Sequence, residues 1–154
     1  MSFSVADNEV LQPLEFVPLK NGTHEMTVID AKHEYKNGRK QFKFVFQETQ
    51  GKGRAFSSHI YDDESQPEWL KTSRQILADA LWAFNIKGFK DDEDAAKMCQ
   101  WLIGRSIYVR TKQETYEGKI NCKAVGFYNS DKTNRAGFQA KDLVTATGDE
   151  DIPW

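Results

Sequence analysis

Between an Asn37-Gly38 pair and a Gly51-Lys52-Gly53 triplet, the chain alternates rings with other residues. Phe42, Phe44 and Phe46 fall on one side of an extended segment, and Gln41, Lys43, Val45 and Gln47 on the other. A helix would scatter three residues spaced by two around its circumference, so Gln41 to Glu48 is predicted as a strand with a phenylalanine face in the core. Asn-Gly flanked by such runs favours a two-residue hairpin, because both central residues take positive φ. The strand before it is expected from Thr23 to Tyr35, after an irregular arm with Pro13 and Pro18 and an Asn21-Gly22 turn. The glycine triplet turns the chain into a third strand, Arg54 to Tyr61.

The period then changes. Ser65-Gln66-Pro67-Glu68 has the form of a capping box, and Trp69, Leu70, Ser73, Ile76, Leu77, Ala80, Leu81 and Phe84 follow at helical spacing. About five turns of helix are expected, ended by Asn85 to Phe89. Asp91 to Leu102 reads as a shorter helix with acids in its first turn, where the helix dipole favours them. Ser106 to Gln113 returns to alternation, Glu114 to Gly118 is read as a turn, and Lys119 to Tyr128 as the last strand. The class is mainly β with a helical insert. Helices between the third and fourth of five strands match a five-stranded OB-fold barrel.

The first 140 residues are expected to form the OB-fold domain and residues 141–154 a disordered acidic tail. That tail holds Asp142, Asp149, Glu150 and Asp151 against Lys141, leaving 20 basic and 19 acidic residues before position 141. The body is thus near +1, and any polyanion site must come from local clustering rather than global charge. Two cysteines are too few for a disulfide framework or a CxxC zinc site, so a reducing cytoplasm is the expected compartment. Neither a signal peptide nor a membrane span is expected.

Cations and rings cluster on the predicted strands and turns. The first hairpin offers Tyr35, Arg39, Lys40 and Lys43; the third strand adds Arg54 and Phe56; the last two add Tyr108, Arg110, Lys112, Tyr116, Lys119 and Lys123. Such a face suits single-stranded DNA, since bases stack on rings while Lys and Arg follow the phosphates. Tyr108 shares its face with Arg110 and Lys112, opposite Ile107 and Val109, and is expected outside.

The tip Asp149-Glu150-Asp151-Ile152-Pro153-Trp154 reads as a peptide ligand, its acids suited to a basic rim and its ring to an apolar slot. This tip resembles that of bacterial single-stranded DNA-binding proteins, which end in acids followed by Ile-Pro-Phe; here Trp replaces Phe. The body resembles a family of small phage proteins regarded as single-stranded DNA-binding. The matching segments are Leu19-Lys20-Asn21-Gly22, Tyr35-Lys36-Asn37-Gly38, Leu102-Ile103-Gly104-Arg105 and Tyr116-Glu117-Gly118-Lys119-Ile120-Asn121. The resemblance implies a sequence-independent binder in phage DNA replication, recombination or repair, in the cytoplasm of a bacterial host. Its tail would recruit replication or recombination proteins. A homodimer is compatible with it.

Catalytic readings are weaker. Asp62-Asp63-Glu64 and Asp91-Asp92-Glu93-Asp94 could hold magnesium in a nuclease, but each precedes a predicted helix, where acids are favoured anyway. His24, His33 and His59 lack ligand spacing, and Gly51-Lys52-Gly53 is too short for a phosphate-binding loop. No enzyme, cofactor or metal is expected. A protein–protein adaptor that binds no DNA is the other alternative.

Overall fold

The computed structural model describes residues 19–144. Five strands, β1 (Gly22–Lys36), β2 (Arg39–Glu48), β3 (Arg54–Asp63), β4 (Ser106–Tyr116) and β5 (Lys119–Tyr128), carry two helices between β3 and β4. These are α1 (Trp69–Ala83) and α2 (Asp92–Leu102). The strands close into a barrel in the order β1-β2-β3-β5-β4, with β4 returning to β1. All pairings are antiparallel except the seam of β3 with β5. This is the expected OB-type barrel, with both helices where the sequence puts them.

Turn chemistry sets the registers. Asn37 and Gly38 have φ of 54° and 74°, and Glu117 and Gly118 have φ of 51° and 77°. Two consecutive positive φ values give the twist that two-residue hairpins need. The second hairpin is therefore tighter than the Glu114–Gly118 turn the sequence suggests, and β4 runs on to Tyr116. Register shifts at Val28/Asp30, Lys40/Gln41 and Arg110/Thr111 mark bulges, which bend strands enough to close a small barrel.

Phe42, Phe44 and Phe46 are fully buried with Met26, Val28, Leu102, Ile107 and Val109. Phe44 packs against His59 with the rings tilted, and Phe46 and His59 both meet Phe127, so the ring column continues from β2 through β3 to β5. Helix α1 buries Leu70, Leu77, Ala80, Leu81 and Ala83 and is tied to β3 by Ser73 Oγ donating to the Ile60 carbonyl at 2.6 Å. Helix α2 buries Ala95, Cys99 and Leu102, and the Asp91 carboxylate caps it by accepting from the Asp94 amide at 2.9 Å.

The capping box at Ser65–Glu68 does not form. Glu68 precedes α1 without a side-chain cap, and Ser65 gives both its amide and its hydroxyl to Asp63 Oδ1, at 2.9 and 2.7 Å. The nearer carboxylate outcompetes the helix end for the serine.

Beyond β5, the chain makes a folded strap. Asn129 Oδ1 accepts from the Asp131 and Thr133 amides, and Arg135 Nε donates to Asp79 on α1 at 2.6 Å. The strap then meets the start of β1: the Thr23 amide donates to the Asp142 carbonyl, and the Val144 amide to the Thr23 carbonyl, both at 2.8 Å. The boundary expected at position 141 thus falls within hydrogen-bonded chain. The remainder of the expected tail, residues 145–154, lies outside the described residues.

Candidate nucleic-acid interface

Alternation puts one set of side chains on the outside of the barrel wall. Inward Ala55, Ser57, Val109, Thr111, Cys122 and Ala124 are buried, so their neighbours Arg54, Phe56, Arg110, Lys112 and Lys123 face solvent. Cross-strand register lines several of them up. Val45 on β2 pairs with Phe56 on β3, Phe56 with Lys123 on β5, and Lys123 with Lys112 on β4. With strands spaced about 4.8 Å apart, a ring and two ammonium groups share a row about 10 Å long. Arg54 stands beside Gln47 and donates to it at 3.0 Å, one step along the same face.

Phe56 is 47% exposed, a large apolar ring left in water at the middle of a sheet. Burial is what such a ring gains most from, so its position on the polar side is the most informative feature of the wall. Among the described residues, Arg54, Arg110 and Lys112 form no ion pair, whereas Lys123 lies 4.0 Å from Glu114. An exposed pair at that distance holds its partners weakly and leaves Lys123 able to meet a phosphate.

Arg110 is held over the sheet by an absence. A Cβ built on Gly126, its cross-strand partner, would lie 3.2 Å from Arg110 Nε and 3.3 Å from Arg110 Cβ. A lone glycine inside a strand signals such a close approach, and Gly126 was that signal in the sequence. Tyr108 lies on the outer side as expected but is half-buried. Its Cα partner is Tyr128, and Lys132 of the strap sits 5.5 Å from its ring centroid. A base stacking on that ring would have to displace the lysine. Nothing in the local pattern around Lys132 announces this contact.

The first hairpin is a different neighbourhood. Tyr35 is 60% exposed but donates to Glu64 at 3.2 Å, and Lys40 lies 5.8 Å from its ring. Lys40 is bonded to Asp92 at 3.0 Å, which raises its pKa, with burial opposing. Arg39 pairs with Asp63 at 2.7 Å and stacks over Trp69 at 5.4 Å. The Asp63 carboxyl is held below its ordinary pKa, first by the two Ser65 hydrogen bonds and further by Arg39. Lys43, on the outer side of β2, is 3.5 Å from Glu34. Lys40 pairs with Asp62, six positions along β3 from Phe56, or about 20 Å. Tyr35, Arg39 and Lys40 therefore do not join the wall, and the charges of Arg39 and Lys40 are already matched. Lys119 is exposed at the β4–β5 tip with Tyr116 as its Cα partner, beyond the row.

These ion pairs also account for the acidic clusters. Asp62 is 3.6 Å from Arg74, Asp63 is held by Arg39 and Ser65, Asp92 by Lys40, and Asp91 caps α2. Among the described residues, no three His, Cys, Asp or Glu side chains gather as a metal ion would require. His59 is buried and hydrogen-bonded to Ser57 Oγ at 3.0 Å, and burial lowers its pKa to about 4. No helix of the described residues is long and apolar enough to cross a membrane. The six tip residues, Asp149 to Trp154, lie outside the described residues. No family model matches the chain, and no curated protein compared with it is similar.

Proposed function

We propose that this protein binds single-stranded DNA without sequence preference, in phage replication, recombination or repair inside a bacterial host. In this reading the residues 149–154 recruit partner proteins. One observation carries it: an exposed ring at the centre of an OB-barrel wall, in register with two lysines and sharing its face with Arg54 and Arg110, which form no ion pair among the described residues. OB-type barrels present the face of their second and third strands to oligonucleotides, and Val45, Arg54 and Phe56 occupy that face here.

The mechanism is stacking plus backbone neutralisation. A base laid on Phe56 removes apolar area from water on both partners, worth roughly 1–3 kcal/mol, and the π-face is common to all bases. Lys112, Lys123, Arg54 and Arg110 then meet successive phosphates. Duplex DNA keeps its base faces stacked on one another, so it can use only the cations. Titration of the full chain with a single strand, the matching duplex and RNA of the same length tests the reading. Tighter binding of the single strand than of the duplex is expected, and equal affinity for the two would overturn it.

A further inference from the structure

Helix α1, the turn after it, Tyr61 of β3 and Arg135 of the strap line an open cleft of about 460 Å³. Its floor is apolar, from Leu77, Leu81 and Ile86, with Trp82 beside them, and its rim carries Arg74, Lys87 and Arg135. No acidic side chain lines it. Asp62 and Asp79 lie behind the rim, 3.6 Å from Arg74 and 2.6 Å from Arg135, but each guanidinium has five N–H groups and uses few of them there. Lys87 forms no ion pair among the described residues and leaves the rim with an excess of positive charge.

We infer that this cleft holds the chain's own segment Asp149-Glu150-Asp151-Ile152-Pro153-Trp154. The segment presents three acids and then Ile, Pro and Trp, the same succession as a cationic rim over an apolar floor. Charge alone would not separate the cleft from the barrel wall, which is also basic. The hollow does, because Ile152 and Trp154 gain from burial only where a recess receives them.

Reach permits the same chain, and tethering favours it over a second copy. Arg135 lines the cleft and is nine residues before Val144, which is pinned to β1, so the cleft lies no more than about 32 Å from that anchor. Four residues, 145–148, link Val144 to the segment, so its positions can lie up to about 17 Å (Asp149) to about 35 Å (Trp154) from the anchor. Tethering over so short a span raises the effective concentration to the millimolar range, enough for a weak peptide site to fill. A partner that takes the segment must then draw it out of the cleft. The inference does not depend on DNA binding.

Paramagnetic broadening in the full-length protein tests it. A nitroxide on Thr147→Cys leaves the six-residue segment intact, and the native Cys99 and Cys122 are buried and so shielded from the label. Amides from Leu77 to Gly88 and that of Arg135 should lose most of their intensity, in addition to the broadening around Thr23 and Arg110 that the Val144 anchor imposes in every variant, while that of Phe56 keeps its own. Trp154→Ala and, separately, Lys87→Glu should each restore the signal of the cleft amides. Broadening confined to the strands around that anchor, centred on Phe56, or spread evenly, overturns the inference. So does broadening seen equally when label and isotope are on different molecules, which would assign the cleft to a second copy.

Discussion

Phe56 on β3 stands opposite Lys123 on β5 in the parallel seam that closes the barrel. The two residues are 67 positions apart in the chain, and only closure makes them neighbours on one surface. Their adjacency gives the wall a ring with a cation beside it, the minimum that stacking plus phosphate contact requires.

Phe56→Ala should separate binding from stability. The ring is half exposed, so truncation is expected to lower the unfolding free energy by only about 1 kcal/mol. Single-stranded DNA binding should weaken by about 5- to 150-fold, the equivalent of roughly 1–3 kcal/mol of lost stacking. Urea unfolding and fluorescence anisotropy on the same preparation measure both. Unchanged affinity would remove Phe56 from the interface.

Salt dependence should count the cations. Each phosphate neutralised on a single strand contributes about −0.7 to the slope of log affinity against log salt. Lys112→Ala should make the slope shallower by about that amount, and Arg110→Ala likewise. Lys40→Ala, whose charge is held by Asp92, should leave it nearly unchanged. A larger effect at Lys40 than at Lys112 would move the site to the first hairpin.

Tyr108→Ala is expected to behave unlike Phe56→Ala. The Tyr108 ring is half-buried with Lys132 over it, so its loss should lower the thermal midpoint further, along with the affinity. Its effect on binding should be the smaller of the two, since a base must first replace the lysine. Thermal unfolding and DNA titration of both variants would decide the order, and a larger binding loss at Tyr108 would reverse it.

Acid should weaken the fold before the carboxylates titrate. Burial among Phe44 and Phe127 lowers His59 from 6.5 to about 4, and burial beside Phe42 and Tyr61 lowers His33 as well. The unfolded chain therefore takes up the His59 proton first, and stability falls as pH drops from about 6.5 to about 4. For His59 the loss approaches roughly 3 kcal/mol. Urea midpoints across that window should flatten in His59→Gln. An unaltered pH dependence in the variant would place the effect elsewhere.

The local patterns were legible because they are local. Phe42, Phe44 and Phe46 announce β2 and its buried face, Asn37-Gly38 the first hairpin, and Asp91 the start of α2. Long-range partners are not written in any short window. Arg39 and Lys40 look like free cations in sequence, yet Asp63 and Asp92, 24 and 52 positions away, neutralise them. The strap's hold on Thr23 is likewise made through backbone groups, which leave no mark in residue type. Ser65 shows the opposite failure: the motif was real, but an aspartate two positions earlier offered a nearer acceptor.

The closed barrel also has a kinetic meaning. β1, β2 and β3 meet through turns of a few residues, but β1 reaches β4 only across about eighty positions, as Met26 does with Ile107. Loop entropy makes such distant pairings slow to find, so the three-strand meander is expected to assemble first and the β4–β5 hairpin to join it last, along β1 on one side and β3 on the other. Phe56 then waits on the meander without its lysine. Every cation that lines up with it on β4 and β5 arrives at the final step, and a chain stalled before that step carries the ring but not the proposed interface.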